Sequence, residues 1–301
     1  MSIEQLNRDH GIAGQIEFIE GQGGFPFIQV NHAKALALIS VYAGQVLSFR
    51  PAGKIGDLLF LSEKAYYQAG KAIKGGVPLC WPWFGPDPEG KGRPAHGFVR
   101  NRMWHVIETG VAASGDIQVV LGLIDTPETQ AIWPHAFILT LVITVGEALN
   151  LELVTRNMGS EAFSITQAFH TYFSVGDIHQ TRVSGLEGRQ YIDKVEGGQQ
   201  KTQSGAVTIS SEVDRIYLDV LNDILIHDAA MKRQIRIASQ GSETAVVWNP
   251  WAKISAEMGD LQDDDYLRLL CVETTNAATD IITIEPDSEF RLAANYRAES
   301  L

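Results

Sequence analysis

Apolar residues recur at every second position along much of this chain. Leu149, Leu151 and Leu153 alternate with Asn150 and Glu152, and Ile235 and Ile237 with Gln234 and Arg236. Ile216, Leu218 and Val220 alternate in the same way with Arg215, Tyr217 and Asp219. Successive side chains of an extended strand point to opposite faces, so a period of two describes strands with one face on a core. Short β-branched runs at 245–248 (AVVW) and 280–286 (DIITIEP) add to the set, and Gly110, Gly146, Gly159, Gly176 and Gly197–Gly198 supply turn signals between several of them. A helical pattern is confined to two short stretches, near Pro127–Trp133 and near Leu261–Leu267. That balance argues against alternating βαβ units and for an all-β sandwich or barrel with a few short helices. No internal repeat, low-complexity tract or Pro/Ser-rich linker divides the chain, so residues 1–301 are expected to form a single domain.

Charge narrows the partners. Thirty-six acidic residues against 24 basic ones give a net charge of −12. A field of that sign repels a phosphate backbone, so no nucleic-acid partner is expected. It also repels a small anion, which must then be held by a few local cations. Two cysteines, Cys80 and Cys271, are too few for a disulfide scaffold and suit a reducing compartment. The opening MSIEQLNRDHGIAG has neither an apolar core nor a basic lead-in. No apolar run approaches the roughly 18 residues that span a bilayer. A cytoplasmic protein with no membrane partner is the expectation.

Several chemistries lack their residues. There is no HExxH pairing, two-His zinc spacing or CxxC, and Asp263–Asp264–Asp265 does not have the spacing of a calcium loop. Gly21-Gln-Gly-Gly24 is not followed by a helix signal, and there is no GxSxG elbow. Neither a metal nor another cofactor is expected.

Four segments place aromatic, glycine and ionisable residues together. In KGGVPLCWPWFG (74–85), Gly75–Gly76 permits a close backbone approach, and two prolines with three aromatics make either an apolar wall for a sugar face or a buried aromatic turn. In AHGFVRNRMW (95–104), Arg100 and Arg102 follow His96; an arginine fork suits phosphate or carboxylate, unless the segment is a solvated surface turn. In SITQAFHTYFSV (164–175), an extended reading puts His170 on one face with Ser164, Thr166 and Ala168, leaving room beside the ring for a ligand. A histidine there is either structural or a general acid–base. In LRLLCVETTN (267–276), Glu273 closes a face begun by Leu269 and Cys271; buried there, its pKa would rise toward that of a general base, whereas at a strand end it would turn to solvent. Asp214, heading Ile216, Leu218 and Val220, is a second inward carboxylate.

Taken in order, GGVPLCWPWFG (75–85), HGFVRN (96–101), FHTYF (169–173), DRIY (214–217), VWNPWAK (247–253) and CVETTN (271–276) resemble the aldose 1-epimerase (galactose mutarotase) superfamily, and within it the hexose-6-phosphate mutarotase branch. The resemblance covers nearly the whole chain. It implies a large twisted β-sandwich, the galactose mutarotase-like supersandwich, whose concave face holds the sugar. It implies an isomerase, a glucose-6-phosphate 1-epimerase activity needing no cofactor, with a small sugar phosphate as partner. By the same resemblance His170 is the general acid, Glu273 the general base, Asp214 a ligand of sugar hydroxyls and Arg100 a ligand of the 6-phosphate, with Lys74 and His96 also binding substrate. The branch usually has arginine where this chain has Lys74, and a polar residue where it has Ala95. In the implied reaction Glu273 takes the anomeric hydroxyl proton while protonated His170 gives one to the ring oxygen. The ring opens, the bond beside the carbonyl rotates, and closure yields the other anomer. The residues themselves leave two further classes open: a carbohydrate-binding sandwich without activity, and a hydrolase or lyase using Asp214 and Glu273.

Overall fold

The computed structural model describes residues 2–54 and 56–301, and most of their regular structure is antiparallel strand. Two large sheets carry the architecture. A nine-stranded sheet has at its centre the strands Arg233–Gln240, Glu289–Ser300, Leu149–Asn157, Phe137–Val145 and Ile117–Ile124, each hydrogen-bonded to the next. An eight-stranded sheet runs through Gln190–Asp193, Val213–Tyr217, Thr244–Asn249, Leu269–Asn276 and Gln167–Phe169, ending at the two-residue strand Leu79–Cys80. A four-stranded meander of residues 16–51 completes the core.

The alternating segments do what their period dictates. Leu149, Leu151 and Leu153 are buried and their neighbours less so, as are Ile235 and Ile237. They meet Val213, Tyr217, Ala245, Val247, Leu270 and Val272 of the eight-stranded sheet in one continuous core, which also takes Phe18, Ile28 and Ile39 from the meander. The strand Val213–Tyr217 departs from the expected pattern. Tyr217, read as the outward partner of Ile216, is fully buried, because this sheet is covered on both faces. Tyr217 faces the central core, while Ile216 packs with Val246, Trp248 and Phe84 on the opposite face. That second face holds the functional groups.

Helix is scarce, as expected, but its distribution differs in part. Pro127–Ile132 is a helix opened by a reciprocal capping box between Thr126 and Thr129, with proline in its first turn. The stretch Leu261–Leu267 contains only the 3₁₀ turn Asp265–Leu267. The helices at Ile3–His10 and Trp251–Glu257 lay outside the pattern read from sequence. Both are too short to show more than two turns of periodicity. Among the described residues, no helix is long and apolar enough to cross a membrane.

Candidate active site

The second face of the eight-stranded sheet forms the floor of a cavity of about 440 Å³, within the range of small-molecule sites. Lys74, His96, Arg100, His170, Asp214 and Glu273, the six residues singled out from the sequence, all line it. Phe84, Tyr172, Lys194, Ile216, Trp248 and Met258 complete most of the wall.

Glu273 is placed by strand parity. On Leu269–Asn276, Leu270 and Val272 point into the central core, so Leu269, Cys271 and Glu273 face the cavity side. The strand is buried throughout, and Glu273 is only 1% exposed.

His170 is placed differently from its extended reading. Its segment breaks into the strands Phe163–Ile165, Gln167–Phe169 and Tyr172–Ser174, and His170 lies in the break between the last two. The break is held from both sides. The His170 amide donates to the Pro78 carbonyl at 2.9 Å, the Tyr172 amide donates to Gly76 at 2.9 Å, and the Thr171 hydroxyl meets the Tyr296 hydroxyl of the nine-stranded sheet at 2.6 Å. Glycine is required opposite: a Cβ on Gly76, whose φ is +61°, would lie 2.2 Å from the Val46 carbonyl oxygen. The ring of His170 does not sit among small residues as expected. It stacks on Tyr172, with centroids 5.0 Å apart, and meets His96 and Trp248 edge-on.

The aromatic wall of 74–85 divides between its two readings. Trp81 and Trp83 are buried core residues, the first donating its indole N–H to Thr155 Oγ1 at 3.1 Å. Phe84 alone of the three faces the cavity. The two arginines of 95–104 also part. Arg100 lines the cavity and donates to the Ala95 carbonyl at 3.1 Å, with its Nε buried and unpartnered. Arg102 pairs with Glu128 outside it.

His96 is a neutral donor toward the cavity. Its backbone is in the left-handed region, φ +64°, and Nδ1 lies 3.3 Å from both the Gly85 amide and the Cys80 thiol. The Gly85 N–H can only donate, so Nδ1 holds a lone pair and the proton sits on Nε2. Burial, assisted by Arg100 and Lys74, pulls its pKa down to about 3.

His170 Nε2 lies 3.4 Å from Glu273 Oε1. Burial pushes the Glu273 carboxyl well above its usual range; Asp214 adds to this and Arg100 opposes it. Burial likewise pushes His170 well below the usual imidazole range, reinforced by His96, Arg100 and Lys74. Both directions disfavour charge, and at this separation the groups titrate as one unit, with its single proton expected to rest on the carboxyl. The reaction implied by the resemblance needs the other arrangement, carboxylate and imidazolium, at the moment of transfer. An infrared difference spectrum between the protein and its Glu273→Gln variant at neutral pH is expected to contain a protonated-carboxyl C=O stretch. A difference showing only carboxylate bands would overturn this placement of the proton.

Asp214 and Lys194 form the other side. Asp214 shares the cavity face with Ile216, and burial raises its pKa while Lys194 opposes the rise. Lys194 follows the neighbouring strand and its amide donates to the Asp214 carbonyl at 2.8 Å. Nothing in the sequence marked Lys194, since only strand pairing brings it there. Trp248 and Tyr172 were present in VWNPWAK and FHTYF, but only as parts of those motifs. Lys74 lies 3.5 Å from Asp260, a carboxylate that no motif included.

Comparison with known proteins gives a consistent picture. The family profile described as Aldose 1-epimerase matches residues 26–297. A relative from Escherichia coli (strain K12), named "Putative glucose-6-phosphate 1-epimerase", is 38% identical over 252 residues, covering 83% of each chain. One of the same name from Cenchrus ciliaris is 36% identical, covering 91% of this chain and 85% of its own. The crystal structure of a "putative mutarotase" from Salmonella typhimurium superposes with a TM-score of 0.90 at 32% identity, covering 97% of this chain and 96% of that one. A galactose mutarotase-like protein from Clostridium acetobutylicum, at 16% identity and a TM-score of 0.75, shares the fold.

Proposed function

The chain belongs to the aldose 1-epimerase family, and on that premise we propose that it interconverts the α and β anomers of a hexose 6-phosphate, with glucose 6-phosphate as the substrate. The observation that carries the reading is the buried His170–Glu273 pair, 3.4 Å apart, in a cavity that also holds Arg100 and Lys74. A carbohydrate-binding sandwich would need no such pair, because burying two titratable groups without a reaction to run is costly.

The reaction requires one proton removed and one delivered in a single event. As the sugar enters, the proton resting on Glu273 passes to His170, giving carboxylate and imidazolium without exchange with solvent. The arriving phosphate offsets the Arg100 and Lys74 charges that hold the imidazole down, which favours this transfer. Glu273 then takes the proton of the anomeric hydroxyl and His170 gives its proton to the ring oxygen. The C1–ring oxygen bond breaks as the C1 carbonyl forms. Rotation about the bond beside it and reversal of the two transfers close the ring from the other face. His96, through Nε2–H, and Asp214 hold sugar oxygens, and Phe84 and Trp248 offer flat apolar faces to the ring.

Freshly dissolved α-glucose 6-phosphate tests the reading. Saturation-transfer NMR is expected to show α/β exchange above the buffer-catalysed rate with no net consumption of sugar. Consumption would indicate a hydrolase or lyase, and tight binding without faster exchange would indicate a binding protein.

A further inference from the structure

Behind the residues that line the cavity lies a group that the proposed reaction does not use. Cys271 precedes Glu273 by two residues on the same strand face, and it is fully buried. One ligating atom from each of His170, Cys271 and Glu273 lies within 4.8 Å of the other two. His170 and Glu273 already meet at 3.4 Å, and two further atoms of the cluster, His170 Nδ1 and Glu273 Oε2, are buried without a partner. We propose that His170, Cys271 and Glu273 form an inhibitory site for a thiophilic divalent cation of the zinc type.

The donor set argues for that class of cation. One imidazole nitrogen, one thiolate sulfur and one carboxylate oxygen are ligands zinc accepts, and three protein ligands with an open fourth position make the arrangement of a solvent-accessible zinc site. Sulfur selects against magnesium and calcium, which take oxygen ligands. Bond lengths of about 2.0–2.3 Å require the ligating atoms to approach within roughly 3.3–3.8 Å of one another. His170 and Glu273 meet that condition as they stand, and Cys271, within 4.8 Å of both, has to close the remaining gap by side-chain rotation. Binding exchanges the thiol proton, and any proton held by the carboxyl, for the cation; these protons leave to solvent. His170 and Glu273 line the cavity, so the open fourth position is expected on that side. The bound cation occupies the imidazole lone pair and the carboxylate that proton transfer requires, so it blocks the reaction at its centre. Arg100 and Lys74 repel a further positive charge, which keeps occupation reversible.

Cobalt(II) and zinc(II) salts added to the metal-free protein provide the test, and the binding arm does not depend on the proposed activity. Cobalt is expected to give tetrahedral ligand-field bands with a thiolate-to-cobalt charge-transfer band at one equivalent, and zinc to abolish them. The Cys80→Ser variant should retain the charge-transfer band and Cys271→Ser should lose it. The latter should also raise the zinc concentration for half-inhibition at least about tenfold, the smallest loss typical even of groups one layer behind the ligands. Should Cys271→Ser fail to fold, zinc X-ray absorption on the wild-type protein reads the same point, with one sulfur and two protein nitrogen or oxygen ligands expected. Absence of a thiolate band at saturating cobalt, its survival in Cys271→Ser, or a shell without sulfur would overturn the site. Binding through Cys271 without loss of anomer exchange would overturn inhibition and, with it, the acid–base roles given to His170 and Glu273.

Discussion

Replacing Glu273 by glutamine is expected to slow enzymatic anomer exchange by about two to four orders of magnitude, and His170→Asn by a similar factor. Glutamine keeps the size of the side chain and accepts one hydrogen bond, but it cannot take up the anomeric proton. Asparagine keeps a polar group in the strand break but cannot carry a proton to the ring oxygen. The two side chains touch at 3.4 Å, so neither variant leaves the other residue in its native state. Because both serve one ring-opening step, the double variant should lose far less than the product of the single losses. The measurement is exchange by saturation-transfer NMR above the buffer background, on variants shown to be folded. Activity within about threefold of wild type in either single variant, well short of the expected loss, would make the pair structural.

The expected pH profile follows from the same contact. His170 is depressed, Glu273 is raised and the two titrate as one unit, so a bell-shaped rate profile is expected whose limbs belong to the pair: uptake of a second proton on the acidic side and loss of the last one on the alkaline side. The one-proton state between the limbs is the active one.

What the sequence made legible was what depends on parity and on order along the chain. Alternation identified the strands Leu149–Asn157 and Arg233–Gln240 and put Glu273 on the face of Leu269 and Cys271. It could not say which face of a doubly covered sheet meets the core and which the cavity, and so Tyr217 was misread. It also assumed an unbroken strand through His170, where the pairing of Gln167–Phe169 with Leu79–Cys80, and the anchoring of 170–172 on residues 76–78, impose a break. Lys194, Asp260 and Met258 reach the site only through tertiary packing, and no local pattern announces them. The motif glycines were legible for a simple physical reason. Where two backbones approach as closely as Gly76 and Val46, only hydrogen fits between them.

Arg100→Ala is expected to weaken binding of glucose 6-phosphate by about 1.5–3 kcal/mol, the worth of a charge-assisted contact, and to leave binding of free glucose nearly unchanged. A chain of net charge −12 attracts no dianion by its overall field, so the phosphate depends on cations inside the cavity. Lys74 is already engaged, 3.5 Å from Asp260 and beside the Met258 sulfur. Arg100 has no carboxylate partner within ion-pair distance among the described residues; it donates only to the Ala95 carbonyl, and its Nε lies buried without a partner. A guanidinium so held has its planar fork free for a phosphate, and it is the better placed of the two. Lys74→Arg, which keeps the charge and adds the planar fork, should keep or strengthen the preference for the phosphorylated sugar. Titration calorimetry with glucose 6-phosphate and glucose separates the cases. Equal losses for both sugars in Arg100→Ala would assign Arg100 to holding the 95–101 turn. A large loss of affinity in folded Lys74→Arg would mean that the lysine, with its Asp260 partner, is fitted to a ligand other than a hexose 6-phosphate.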